Sequence, residues 1–259
     1  MSANILVHRD GGLATVVLNR PDKLNALTRA MWNTLGKVMV SLSADNDLRC
    51  VILRGAGERA FSPGNDIAEF EHERHDPDGA RAYAATMART LDSLKHCRHP
   101  VVALINGHCI GGGLELAALA DIRVCGVSSR FGVPLNRLGV VMAYEELSAL
   151  LALIGRARTL ELLLEGRVVD AAEARAMGLV HRVVDDARVA ECAYESARCI
   201  AAAAPLAARW HKKFINRLAD PAPLDAQERE ECLACFGTAD YREGYRAFLD
   251  RRAPRFRGH

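Results

Sequence analysis

The sequence predicts an α/β fold. Short apolar runs alternate with stretches of helical periodicity through the first two thirds of the chain, the pattern of parallel strands joined by helices. Glycine and proline clusters fall between those runs, so each run reads as a separate element. Of the 259 residues, half are hydrophobic and a quarter charged. That is an ordinary globular balance, and a chain this long holds a core without disulfides or metal.

Residues 5–7 and 14–18 flank Asp10-Gly11-Gly12, a hairpin signal. Thr28 is placed to cap an amphipathic helix carrying Met31, Leu35, Val38, Met39 and Leu42. Residues 50–53 read as a buried strand ending at Gly55-Ala56-Gly57. The polar stretch 71–79 reads as a surface loop before a helix over 80–94. A second buried strand spans 101–105, followed by turns at Asn106-Gly107 and Gly111-Gly112-Gly113. A short helix over 114–120 and a third strand over 122–125 complete this part. After Pro134 helices dominate. Asp170 with Glu173 forms a capping box, Gly178 closes that helix, and 180–184 is a brief strand. From Asp186 onward nearly all is helix, broken near Pro205 and at Pro221-Ala222-Pro223. A boundary near residue 200 divides an α/β core, 1–200, from a helical region, 201–259.

Composition excludes several functions. Thirty-four Lys and Arg against 32 Asp and Glu leave a net charge of +2, far from a basic nucleic-acid surface. Aromatics are 5% of the chain, too few to stack successive bases. The longest uncharged apolar-leaning run, 101–114, contains Asn106, His108 and four glycines and is too short and broken to cross a bilayer. No basic segment followed by an apolar one stands at the start. The expectation is a cytoplasmic protein whose eight cysteines are reduced, buried and apolar in behaviour.

Several motifs carry little. Gly55-Ala56-Gly57-Glu58-Arg59-Ala60 mimics a dinucleotide fingerprint, but Phe61-Ser62-Pro63-Gly64 follows where a helix should begin. Cys232 and Cys235 form a single C-x-x-C with no second pair, better read as one packed helix face than as a metal site. His72 and His75 lie in a polar stretch and read as solvated, so no metal site is expected.

Two turns carry more. Residues 61–67 follow one buried strand, and residues 107–115 follow the next. Glycine lets such turns aim backbone N–H groups outward, and the second opens a helix, whose N-terminus is electropositive. On adjacent strands, two of these N–H groups can converge on one oxygen as an oxyanion hole, where losing one donor costs roughly 3–4 kcal/mol of transition-state stabilisation. Glu115 follows within a turn. The plain alternative is two tight turns and a glutamate serving its own helix.

These residues resemble the crotonase, or enoyl-CoA hydratase/isomerase, superfamily. The likeness runs in order through Asn19-Arg20-Pro21-Asp22-Lys23-Leu24-Asn25-Ala26-Leu27, residues 60–67, residues 106–117, Arg130-Phe131-Gly132-Val133-Pro134, Gly166-Arg167, residues 174–184 and residues 241–249. The resemblance implies a ββα spiral core with C-terminal helices that build trimers, often paired into hexamers. It implies an acyl-CoA substrate, with coenzyme A entering only as part of that substrate and no other cofactor. The thioester oxygen would take N–H from Asn65 and Gly112, with Glu115 as acid/base. Asn65, Asp66, Ile67 and Ala68 would line the CoA channel, with Lys23 and Leu24 near the nucleotide. Asn65 stands where the family often has Ala, and its amide is available for an extra polar contact.

The pattern breaks at one point. Hydratases of this family resemble one another in a second glutamate after the Pro of the Phe-Gly-x-Pro segment; here that position is Leu135, which cannot move a proton. One such group contributes about 10²- to 10⁴-fold in rate. Other members carry an acid a few positions later, where this chain has Ala143. Glu145 and Glu146 are expected in the first turn of the next helix, where a carboxylate favours the helix dipole; whether either faces the site is open. The expected function is enoyl-CoA hydratase/isomerase chemistry through a thioester enolate. The alternatives are an acyl-CoA decarboxylase or hydrolase of the same fold, since the segment 132–136 is similar to a decarboxylase branch, or a CoA-thioester binder with little turnover. Residues 69–85 are expected to shape the acyl pocket.

Overall fold

The structure, a computed structural model, describes residues 3–259. Strands β1 (Ile5–Asp10) and β2 (Leu13–Leu18) form the predicted hairpin. Helix α1 (Arg29–Ala44) begins at Thr28, whose side chain accepts from the Met31 N–H at 3.2 Å. Then come β3 (Cys50–Gly55), β4 (Ala60–Ser62), a single turn of helix α2 (Phe70–Glu73) and α3 (Pro77–Lys95). The next unit is β5 (Val101–Ile105), β6 (His108–Ile110) and α4 (Gly112–Ala118). The third is β7 (Ile122–Gly126), β8 (Arg130–Gly132) and α5 (Tyr144–Glu165), kinked at Gly155. β9 (Val168–Asp170), α6 (Ala171–Met177), β10 (Arg182–Val184) and α7 (Val189–Ala202) follow. Helices α8 (Pro205–Leu218), α9 (Ala226–Glu231) and α10 (Ala239–Leu249) close the chain.

The repeat of long strand, short strand and helix winds into two sheets. The larger has the order β1-β2-β3-β5-β7-β10 and is parallel apart from its first pair; the smaller has the order β4-β6-β8-β9. The inner strands β2, β3 and β5 of the larger sheet are buried on both faces, so they read as largely apolar runs. On one face Val51, Leu53, Val101, Ala103 and Ile105 pack with α1 and α3; on the other Cys50, Ile52, Val102, Leu104 and Val124 pack under Val189, Ala193 and Ala197 of α7. Helices α8–α10 contribute nothing to either cluster.

Some expectations need correction. The stretch 71–79 is not one loop: α2 ends at Glu73, and Asp76 caps α3 by accepting from the Gly79 N–H at 2.7 Å, with Pro77 at its first position. The smaller sheet has no counterpart in the periodicity, because each of its strands has three residues. The capping box at Asp170 is half formed: its side chain accepts from the Glu173 N–H, but Glu173 turns to Arg167. All eight cysteines are free; Cys50, Cys97, Cys109 and Cys125 are buried as expected, but Cys199 and Cys232 are exposed. Cys232 and Cys235 therefore form no packed face. No described helix is long and apolar enough to cross a membrane.

Candidate active site

The turn after β4 meets the turn before α4 because glycine removes the side chains that would separate them. A Cβ at Gly113 would sit 2.3 Å from the Ser62 carbonyl oxygen, and one at Gly64 would sit 2.9 Å from the Gly112 nitrogen, with Gly64 at φ +97°. Both positions therefore require glycine. Leu27 holds the first turn in register: its N–H donates to the Gly64 carbonyl and its own carbonyl accepts from the Asp66 N–H, both at 2.8 Å. Alternation along an extended segment then turns the Asn65 N–H away from Leu27. Ser62 Oγ accepts from the Gly64 N–H at 3.1 Å and donates to the Asn25 carbonyl at 2.9 Å. The N–H groups of Asn65 and Gly112 are left without a partner among the described residues.

Both residues line one cavity of about 400 Å³. Glu115, one turn into α4, lines it too, with Asp66, Ile67, Met87, Leu135 and Glu146. Lys23, Leu24 and Ala68 do not; Lys23 and Ala68 are exposed. A larger groove of about 850 Å³ beside α8 is walled by Arg98, Arg209, Lys212 and Lys213 and contains no buried carboxylate.

Glu115 is 5% exposed, and its Oε2 has no hydrogen-bond partner. Burial, and then the Glu146 carboxylate, push its pKa up from 4.5 to about 8, against a smaller opposing pull from Arg74. Burial also raises Glu146, although the Ala143 N–H donates to its Oε2 at 2.8 Å. Two carboxyls facing one cavity oppose each other's ionisation, and Glu115 keeps its proton at neutral pH. Glu146 reaches the cavity because it is the third residue of α5, tied back to Ala143, whose own side chain offers no acceptor. Glu145 and Tyr144 point to solvent instead.

The Asn65 side chain does not reach for a ligand. Its Oδ1 accepts from Trp32 Nε1 at 2.7 Å and from the Tyr83 hydroxyl at 3.4 Å, and its Nδ2 donates to Met87 Sδ at 3.6 Å. This corrects the extra polar contact expected of it: the amide fastens the turn to α1 and α3. Asn25 is a residue whose task the motif did not disclose. It sits at φ +65° and buries its amide, donating to the Ala56 and Ala60 carbonyls at 3.0 and 2.8 Å. Asparagine tolerates that conformation better than most residues.

The chain matches the enoyl-CoA hydratase/isomerase family over residues 8–259. It belongs to that family. Among solved structures, an enoyl-CoA hydratase/carnithine racemase from Magnetospirillum magneticum superposes with a TM-score of 0.98 at 48% identity, covering 100% of this chain and 97% of that one. An enoyl-CoA hydratase from Bacillus anthracis superposes at 0.91 with 30% identity, covering 99% and 100%. The short-chain-enoyl-CoA hydratase of Clostridium acetobutylicum is 33% identical over 251 residues, covering 96% of this chain and 95% of that protein. The fold is that of the crotonases, and Leu135 presents an apolar wall of the cavity with Leu138, Val140 and Val141.

Proposed function

We propose that this family member is a hydratase or isomerase of enoyl-CoA thioesters. The carrying observation is Glu115, buried in a cavity whose wall also holds the unpaired Asn65 and Gly112 N–H groups. Those donors would take the thioester oxygen and stabilise its charge when the enolate forms, the kind of preorganised contact that dominates acyl chemistry. Asp66, Ile67 and Ala68 would follow the pantetheine, with Lys23 and Leu24 toward the nucleotide, and no cofactor is needed beyond the substrate's own coenzyme A.

Glu146 supplies what Leu135 lacks. In hydration, the ionised member of the pair takes a proton from water as its oxygen bonds to C3. The C2–C3 π electrons move to the thioester oxygen as an enolate, and the protonated carboxyl returns a proton to C2. In isomerisation, one carboxylate removes the C2 proton of a 3-enoyl thioester and the proton returns at C4. The apolar wall of Leu135, Leu138, Val140 and Val141 favours one second reading, decarboxylation, because such a wall desolvates a substrate carboxylate.

The exposed Ile215, Leu218, Phe236, Tyr245, Phe248 and Leu249 on and beside α8–α10 support a homotrimer or hexamer, since large apolar residues clustered at a surface mark association. The deciding experiment is turnover in deuterated water, followed by mass spectrometry. It offers 2-enoyl, 3-enoyl and malonyl-type thioesters to the wild type, Glu115→Gln and Glu146→Gln. Water addition or deuterium at C2 or C4, lost in Glu115→Gln, supports the proposal. Carbon dioxide release that survives Glu115→Gln selects decarboxylation. Binding of thioesters without any turnover leaves the protein a binder.

A further inference from the structure

The same cavity contains a cation that the proposed chemistry does not use. Arg74 follows α2, and its guanidinium lies over two aromatic rings, 4.6 Å from the Phe70 centroid and 5.0 Å from that of Tyr83. Arg74 and Phe70 both line the cavity with Glu115 and Asn65. The Arg74 side chain makes no ion pair and no hydrogen bond among the described residues. Its neighbours along the chain are engaged elsewhere: Glu69 accepts from the Arg29 N–H and Glu73 from Arg29 Nη1, each at 2.8 Å. Glu115 and Glu146 share the cavity with it and feel its charge, but neither forms an ion pair with it. A half-buried guanidinium packed over two rings, with its donors unspent, is positioned for a planar anion.

We infer that Arg74 binds a carboxylate at the far end of the substrate's acyl group, so that the enzyme takes short dicarboxylic acyl-CoA thioesters in preference to neutral ones. The inference rests on the acyl-CoA reading above and names the substrate class for that same site. Three features agree with it. The cavity, about 400 Å³, suits a short acyl group. Burial raises the pKa of both carboxyls in the cavity, that of Glu115 to about 8, which weakens their repulsion of an incoming anion. The remaining wall, Leu135, Leu138, Val140 and Val141, has nothing to pair with a carboxylate, which leaves Arg74 as the cation lining the cavity. The anion could instead come from the phosphates of coenzyme A, and the test separates the two sources.

Binding of unreactive saturated thioesters tests this without requiring turnover. Glutaryl-CoA, pentanoyl-CoA and free coenzyme A are titrated against the wild type, Arg74→Leu and Arg74→Lys by calorimetry. The expected result is wild-type binding of glutaryl-CoA roughly ten- to a hundredfold tighter than pentanoyl-CoA, the scale of one charge-assisted pair. Arg74→Leu abolishes that preference, leaves pentanoyl-CoA and free coenzyme A unchanged, and Arg74→Lys restores part of it. Equal wild-type affinity for the two thioesters overturns the inference while leaving the acyl-CoA reading intact. Loss of free coenzyme A affinity in Arg74→Leu overturns it too, by assigning the cation to a phosphate. A wild type that binds none of the three overturns both readings together.

Discussion

Replacing Glu115 by Gln should make the protein more stable as the pH rises, while stripping it of activity. The carboxyl's pKa is lifted from 4.5 to about 8 in the folded chain. Below 4.5 both folded and unfolded chains are protonated, and the group is neutral in effect. Between the two values the unfolded chain releases its proton and the folded chain keeps it, so stability falls as pH rises, and the loss levels off above about 8. At 5% exposure solvent screens little of this. The lost stability reaches about 3 kcal/mol by neutral pH and about 5 kcal/mol above the folded pKa, by the usual conversion of pKa into free energy. A glutamine amide brings its own burial cost of roughly 1–3 kcal/mol, but that cost is independent of pH. The test is therefore the slope. Urea melts of both proteins at about pH 5 and about pH 7 should show the variant gaining roughly 2–3 kcal/mol relative to wild type across that interval, or roughly 5–10 °C in Tm. Turnover should fall by about 10²- to 10⁴-fold at either pH. A stability difference that does not change with pH would refute the argument, because it would mean that Glu115 ionises in the folded protein as easily as in water.

Three other perturbations test the geometry. Gly64→Ala places a Cβ 2.9 Å from the Gly112 nitrogen at a φ of +97°, so the two turns must part; turnover should drop by roughly 10²-fold or more, with the fold retained by circular dichroism. Trp32→Phe removes the shorter of the two donors to Asn65 Oδ1, leaving only the Tyr83 hydroxyl at 3.4 Å, and should cost roughly 0.5–1.5 kcal/mol in urea melts with a parallel loss of turnover. Sedimentation equilibrium should show a trimer or a multiple of it, and Phe248→Asp, at a side chain 83% exposed in the isolated chain, should yield smaller species.

Much of the frame was legible before any coordinates. The inner strands of the larger sheet announce themselves because burial on both faces makes them apolar runs, as in residues 50–53 and Val101–Ile105. Thr28 and Gly178 mark helix ends because capping is a local matter of one side chain or one backbone angle. Gly112 and Glu115 could be named together because a glycine-rich turn and the helix it opens lie close in sequence, while Asn65, on the separate turn after β4, joins them through the two-turn pattern and the family resemblance.

Tertiary structure decided the rest. Three-residue strands such as His108–Ile110 carry no periodicity of their own and exist only because the neighbouring turn of the spiral lies beside them. The roles of Asn25 and of the Asn65 amide depend on partners such as Ala60, Trp32 and Tyr83, distant along the chain. Arg74 carries no signal at all, and for Glu146 the sequence leaves open whether it or Glu145 faces the site, since a glutamate in a first helical turn and an arginine in an acidic stretch are ordinary surface residues until a cavity forms around them. Sequence determined which segments become strand, helix and turn, because those choices are local. Which charged side chains leave water to face one another was decided by packing, because desolvation depends on what the whole chain brings near.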